Sequence, residues 1–167
     1  MRIELRELSL NDGIEIYEMT QEIGPGENGY QNKAYGLDFS EFQGFLIKSG
    51  DESLGINLPP HYVPQTVYWL VIDEKPIGIG KLRSYLNDGL RKIGGHIGYT
   101  IRPSERGKGY GKILLQEILK KAKEKRIEEV LLTCDESNMA SRKVIEANHG
   151  ELENIDHGEC RYWIRQF

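Results

Sequence analysis

Residues 105–112 read ERGKGYGK, with Gly107, Gly109 and Gly111 at alternate positions, Lys108 and Lys112 among them, and an amphipathic segment directly after. Upstream, HIGYTIRP (96–103) reads as a β-strand closed by Pro103. Downstream, Tyr110, Leu114, Leu115, Ile118, Leu119 and Ala122 keep the three-and-four spacing of a helix. A glycine segment between a strand end and a helix start exposes unpaired backbone N–H groups, and the helix dipole adds positive potential at the same place. The segment is therefore suited to hold an anion. Lys108 and Lys112 strengthen that reading, because a cation at a helix N-terminus opposes the dipole unless something negative offsets it. Lys120, Lys121, Lys123, Lys125 and Arg126 lie in the last turns, where cations complement the dipole and need no ligand.

Working outward, EVLLTCD (129–135) is a nearly continuous apolar strand, expected to be central and covered on both faces. Strand, glycine turn, helix and strand make a right-handed βαβ crossover. Before it, TVYWLVID (66–73) and PIGIGKLRSY (76–85) form a hairpin, followed by a loop, NDGLRKIGG (87–95). The chain opens with a strand over residues 2–9. Asn11 or Asp12 is expected to cap a short helix through Ile14 and Tyr17, and Asp38 or Ser40 a second one over Phe42, Phe45 and Leu46. The loops at 24–36 and 57–66 are turn-rich walls or lids. Ser137 or Asn138 caps a last helix that ends near Asn148, and ELENID (151–156) with ECRYWIRQF (159–167) closes the chain as a hairpin.

The chain has 167 residues, enough for one core and too few for two ordinary domains, so residues 1–167 are expected to form a single domain. The longest apolar stretch, 67–72, is far below membrane-spanning length, and the N-terminus offers no signal-peptide run, which points to a cytoplasmic protein. Cys134 and Cys160 have no metal-type spacing and are expected to be free thiols. Residues 1–65 hold four Lys/Arg against eleven Asp/Glu, a balance of -7, whereas residues 66–167 hold eighteen against fifteen, +3. One basic helix balanced by acidic segments, with no interleaved aromatic stripe, argues against a nucleic-acid binder.

The anion is not the phosphate of a P-loop, which would need glycine at 106 and a hydroxyl at 113 where the chain has Arg106 and Ile113. The dinucleotide fingerprint G-x-G-x-x-G also fails on spacing. The spacing that fits is R-x-x-G-x-G, as Arg106-Gly107-Lys108-Gly109-Tyr110-Gly111. With HIGYTIRPSERGKGYG before it and NMASRKVIEANHG in the next helix, the chain resembles the GNAT acyltransferase superfamily over residues 66–150.

The resemblance implies an α/β (α+β) fold with a mixed, mostly antiparallel central sheet of about seven strands flanked by about four helices. It implies an N-acetyltransferase that uses acetyl-CoA, no metal, and a primary amine acceptor on a small molecule or peptide, with direct attack in a ternary complex; homodimers are common in the superfamily. Residues 66–167 would be the acetyl-CoA-binding core and closing hairpin, and residues 1–65 the acceptor side. Arg106 to Lys112 would cradle the pyrophosphate, and Tyr99, Thr100 and Ile101 would lie beside the pantetheine arm. Asn138 and Ser141 match the pattern of the last helix, where both would contact coenzyme A, but Ile145 stands where the family often has a tyrosine that protonates the departing thiolate. Tyr99 is the substitute acid by proximity. His96 occupies the place of the family's frequent glutamate base, and its ordinary pKa of about 6.5 suits that work. An acylated Cys134 lacks an identifiable partner histidine. A non-catalytic acyl-CoA-binding or regulatory module on the same fold is the alternative. If the acidic segments line the acceptor cleft, a cationic acceptor is favoured.

Overall fold

The computed structural model describes residues 1–167. Its strands are β1 (Ile3–Glu7), β2 (Gln65–Ile72), β3 (Lys75–Arg83), β4 (Ile97–Ile101), β5 (Val130–Asp135), β6 (Glu151–Asp156) and β7 (Glu159–Ile164). Its helices are α1 (Ile14–Ile23), α2 (Phe39–Ser53), α3 (Asp88–Lys92), α4 (Tyr110–Glu124) and α5 (Met139–Ala147), with a 3-10 turn at Pro103–Glu105. The seven strands form two sheets, an antiparallel β1-β2-β3-β4 and a second in the order β5-β7-β6, instead of one. There are five α-helices because the loop at 87–95 contains α3, whose first turn Asn87 caps by accepting from the Leu90 N–H at 2.9 Å.

The core has two parts, one on each face of the larger sheet. On β3, Ile79 packs with Ile16, Met19, Phe42 and Leu46 of α1 and α2. Leu82, pointing the other way, packs with Leu114, Leu115, Ile118 and Leu119 of α4. This is the strand alternation of period two meeting helices on both sides. Each fully buried Leu or Ile on that helical stripe contributes about 1.5–3 kcal/mol of burial. Val130, Leu131 and Leu132 of β5 are all buried, consistent with a strand covered on both faces, although β5 sits at the edge of its own sheet.

Asp12 does not cap α1. Its Oδ2 accepts from the Ser9 N–H and from Trp69 Nε1, both at 2.7 Å, so the carboxylate anchors the buried indole and Gly13 takes the N-cap position. Asp38 does precede α2, with the Glu41 carboxylate accepting from its N–H at 2.9 Å. Between α1 and the start of the glycine segment, Glu22 pairs with Arg102 at 2.8 Å and accepts from the Ser104 N–H at 2.9 Å. Burial would raise the Glu22 pKa, but the Arg102 and Ser104 hydrogen bonds outweigh it and hold the carboxyl at about 2.

β4 and β5 share no ladder, and the two sheets part between them. They are hydrogen-bonded where β4 begins: His96 N–H donates to the Leu131 carbonyl at 2.7 Å, and the Leu131 N–H donates to His96 Nδ1 at 2.9 Å. A side chain thus takes the second bond that a backbone carbonyl would accept in a continuous sheet. The turn that allows it runs through Gly94 and Gly95, at φ +115° and +60°.

Candidate active site

The parting of the sheets opens a cleft of about 1110 Å³, lined by the glycine turn, by β4 and by residues from the first half of the chain. Arg106, Gly107, Gly109, Tyr110, Gly111 and Lys112 all line it. Gly107 and Gly109 hold φ of +77° and +84°, and Gly109 is the N-cap of α4, so the backbone amides reach the cleft with no Cβ in the way. Lys108 is not among the lining residues. Its Nζ bonds Glu105 at 2.8 Å, and Glu105, which lines the cleft, also pairs with Lys75, so the Lys108 charge is already neutralised. Arg106 lines the cleft while its Nε donates to the Ile101 carbonyl at 2.9 Å and its guanidinium pairs with Glu27.

Tyr99, Thr100 and Ile101 line the same cleft, as do Asn138 and Ser141. Asn138 serves as the helix cap too, accepting from the Ser141 N–H at 3.2 Å. The Tyr99 hydroxyl lies 2.9 Å from Ser141 Oγ. Burial pushes the Tyr99 phenol up to about 12 despite the pull of Ser141, so it keeps its proton at neutral pH. Ile145 is fully buried in the core and offers nothing to the cleft. Cys134 lines the cleft, but burial pushes its thiol up to about 11, which leaves too little thiolate for a nucleophile.

His96 directly precedes β4, after Gly94 and Gly95, and is not among the residues that line the cleft. With Nδ1 accepting from Leu131, the neutral ring carries its proton on Nε2. Burial, then the Arg91 and Arg83 charges, lower its pKa to about 4. Taking up a proton at Nδ1 would break the bond that joins the sheets. His96→Ala is therefore expected to lower stability by about 1–3 kcal/mol through the orphaned Leu131 N–H. The acidic limb of any pH–rate profile should keep its midpoint; a shifted limb at unchanged stability would restore the base role.

The residues that sequence reasoning missed come from elsewhere in the chain. Glu159, at the start of β7, lines the cleft beside Cys134 and Thr133, because the β5–β7 register pairs it with Asp135. Burial raises its carboxyl pKa, partly offset by a hydrogen bond from Thr133 and reinforced by Asp135. Lys33, Lys81 and Arg83 line the cleft with Tyr30 and Tyr62. The acidic excess of residues 1–65 is not there. Of its eleven carboxylates only Glu27 lines the cleft, and it is spent on Arg106. Formal charge along a chain carries no direction, and the other carboxylates lie elsewhere on the molecule. No helix is long and apolar enough to cross a membrane.

Among solved structures, the fold is similar to the Campylobacter jejuni N-acetyltransferase PseH in complex with acetyl coenzyme A, at a TM-score of 0.66 and 17% identity over 99% of this chain and 100% of that one. It is similar to RimL, a ribosomal L7/L12 alpha-N-protein acetyltransferase in complex with coenzyme A, at 0.70 and 17% over 96% and 92%. The third is yncA, a putative acetyltransferase from Salmonella typhimurium with acetyl-CoA, at 0.61 and 14% over 98% and 93%. At such identities these likenesses speak for the fold alone. A search of curated protein sequences finds no match. The Acetyltransferase (GNAT) family matches residues 32–150, which take in the glycine turn, β4 and the last helix, and the chain belongs to that family.

Proposed function

We propose that the protein is an N-acetyltransferase that moves the acetyl group of acetyl-CoA to a primary amine by direct attack in a ternary complex. The observation that carries the reading is the hydroxyl pair of Tyr99 and Ser141, in one cleft with Glu159 and the glycine turn. Acetyl-CoA accompanies PseH and yncA in their structures, and the turn at Arg106–Lys112 suits its pyrophosphate here. An alkylammonium with a pKa of about 10.4 is almost wholly protonated at pH 7, so the acceptor must lose a proton. Glu159, made more basic by burial, takes it as the nitrogen attacks the thioester carbonyl. The C–S bond then breaks, the thiolate takes a proton from the Ser141 hydroxyl, which Tyr99 replenishes, and the second proton that the nitrogen loses as the amide forms passes through solvent to restore the Tyr99 phenol. His96 plays no part in the proton transfers and holds the two sheets at the head of the cleft.

The non-catalytic alternative draws on Ile145, which buries an apolar side chain where a tyrosine acid would stand. A panel of amines scored for free thiol and acetylated product separates the two readings. Stoichiometric thiol and acetylamine support transfer; acetyl-CoA binding without either supports the binding module. In the same assay Gly109→Val is expected to weaken acetyl-CoA binding about tenfold or more. A β-branched side chain at φ +84° costs about 1–2 kcal/mol and crowds the anion site. Calorimetry showing unchanged affinity in the folded variant would remove the turn from the donor site.

A further inference from the structure

We propose that Lys33, Lys81 and Arg83 form a subsite for an anionic group on the acceptor, so that the preferred substrate is an amine that also carries a carboxylate or a phosphate. The inference rests on the transferase reading for the amine and on geometry for the anion. Lys81 and Arg83 lie two residues apart on β3 and share the face of Ile79, the side covered by α1 and α2, away from α4. Lys81 Nζ sits 4.4 Å from the Tyr30 ring centroid and donates to the Gln31 carbonyl at 2.7 Å. Lys33 Nζ donates to the Tyr62 hydroxyl at 2.9 Å. One terminal nitrogen of Arg83 donates to the Gly94 and Gly95 carbonyls, each at 3.1 Å, which fixes the guanidinium at the turn before β4.

None of these three cations forms an ion pair, whereas Arg102 and Arg106, nearer the donor end, do. The carboxylates along the cleft do not compensate them: Glu27 belongs to Arg106 and Glu105 to Lys75 and Lys108, leaving Glu159 alone. Burial, then the Arg83 and Lys33 charges, lower Lys81 to about 8, more than the pull of Glu52 restores. Lys33 is exposed, but Lys81 and Arg83 are partly buried, and such like charges held together without a counter-charge are costly unless an anion joins them. Carboxylate and phosphate both present oxygens to such donors, and charge-assisted bonds of this kind are the strong ones. A purely cationic acceptor would meet repulsion at this end, the opposite of what the acidic N-terminal half suggests.

The test uses matched acceptors with the protein saturated in coenzyme A, so that binding is read by calorimetry without turnover. One pair is a short peptide with a free α-carboxylate and its C-terminal amide; the other is an amino sugar phosphate and the unphosphorylated sugar. The anionic member of at least one pair is expected to bind about tenfold tighter or more, and which pair responds names the anion. Lys81→Met keeps the stem over Tyr30 and should abolish the preference; Lys33→Met should reduce it if the first variant does not fold. Equal binding within both pairs, no binding in either, or a preference that survives the variants overturns the subsite. Anion-selective binding with no acetylation on substituting acetyl-CoA would instead sink the transferase reading and leave the subsite standing. Acetylation of neutral amines without preference would do the reverse.

Discussion

Glu159→Gln is expected to lower kcat by about 10²-fold or more while leaving acetyl-CoA affinity unchanged, since general bases contribute on that scale. The amide keeps the shape of the carboxyl and can still bond Thr133, but it cannot accept the acceptor's proton. Burial raises the Glu159 pKa, so the acidic limb of the wild-type rate profile should lie above the ordinary glutamate value of about 4.3 and should disappear in the variant. The stability effect has the opposite sign. A carboxyl whose folded pKa exceeds its unfolded one stabilises the fold only when protonated, and that contribution is lost as pH rises through the folded pKa. At neutral pH the variant should therefore melt no lower than the wild type, with its relative advantage fading in acid. Lost turnover with a retained or raised Tm marks a catalytic residue; a lower Tm with matching loss of acetyl-CoA binding would mark a structural one.

Gly95→Ala is expected to be strongly destabilising. A Cβ at Gly95 would stand 2.3 Å from the Leu131 carbonyl oxygen and 2.8 Å from its carbon, and both are backbone atoms of a buried strand. The residue also holds φ +60°. Overpacking costs about 1–3 kcal/mol and the left-handed conformation about 1–2 kcal/mol more. For a chain of this size that lowers Tm by very roughly 4–20 °C. Because the clash falls on the bridge between His96 and Leu131, the mouth of the cleft should open with it, and acetyl-CoA should cease to protect the protein against heat. Gly44→Ala, in α2 with nothing within 4 Å of its added methyl, should be stabilising by about 0.5–1 kcal/mol. A Gly95→Ala variant that melts with the wild type would mean that the two sheets are not held at this point.

The elements were legible along the chain because their signals are local. The β-rich runs of β2 and β3, the apolar stripe of α4, the cap at Asn138 and the closing hairpin each depend on residues within a few positions of one another, and the structure has them where the pattern puts them. The donor end was legible for the same reason: a glycine turn, its strand and its helix are one contiguous stretch that carries its own geometry. Lys108 escaped that logic, since its partner Glu105 is just as local but a hydrogen bond decides which way the side chain turns.

What lay beyond the sequence was whatever depends on two distant segments meeting. The junction of the two sheets includes one histidine nitrogen that accepts a bond from Leu131, 35 residues away, a contact that no local pattern announces. Glu159 reaches the cleft only through the β5–β7 register, and Lys33, Lys81 and Arg83 converge only because the 24–36 loop folds over β3. The charge of a segment sums over all its faces, whereas a substrate meets one of them. The sequence by itself therefore determined the fold, the family and the glycine turn. The proposed base, the proposed acid pair and the proposed anion subsite belong to tertiary structure, because each is a relation between side chains that only packing brings within reach.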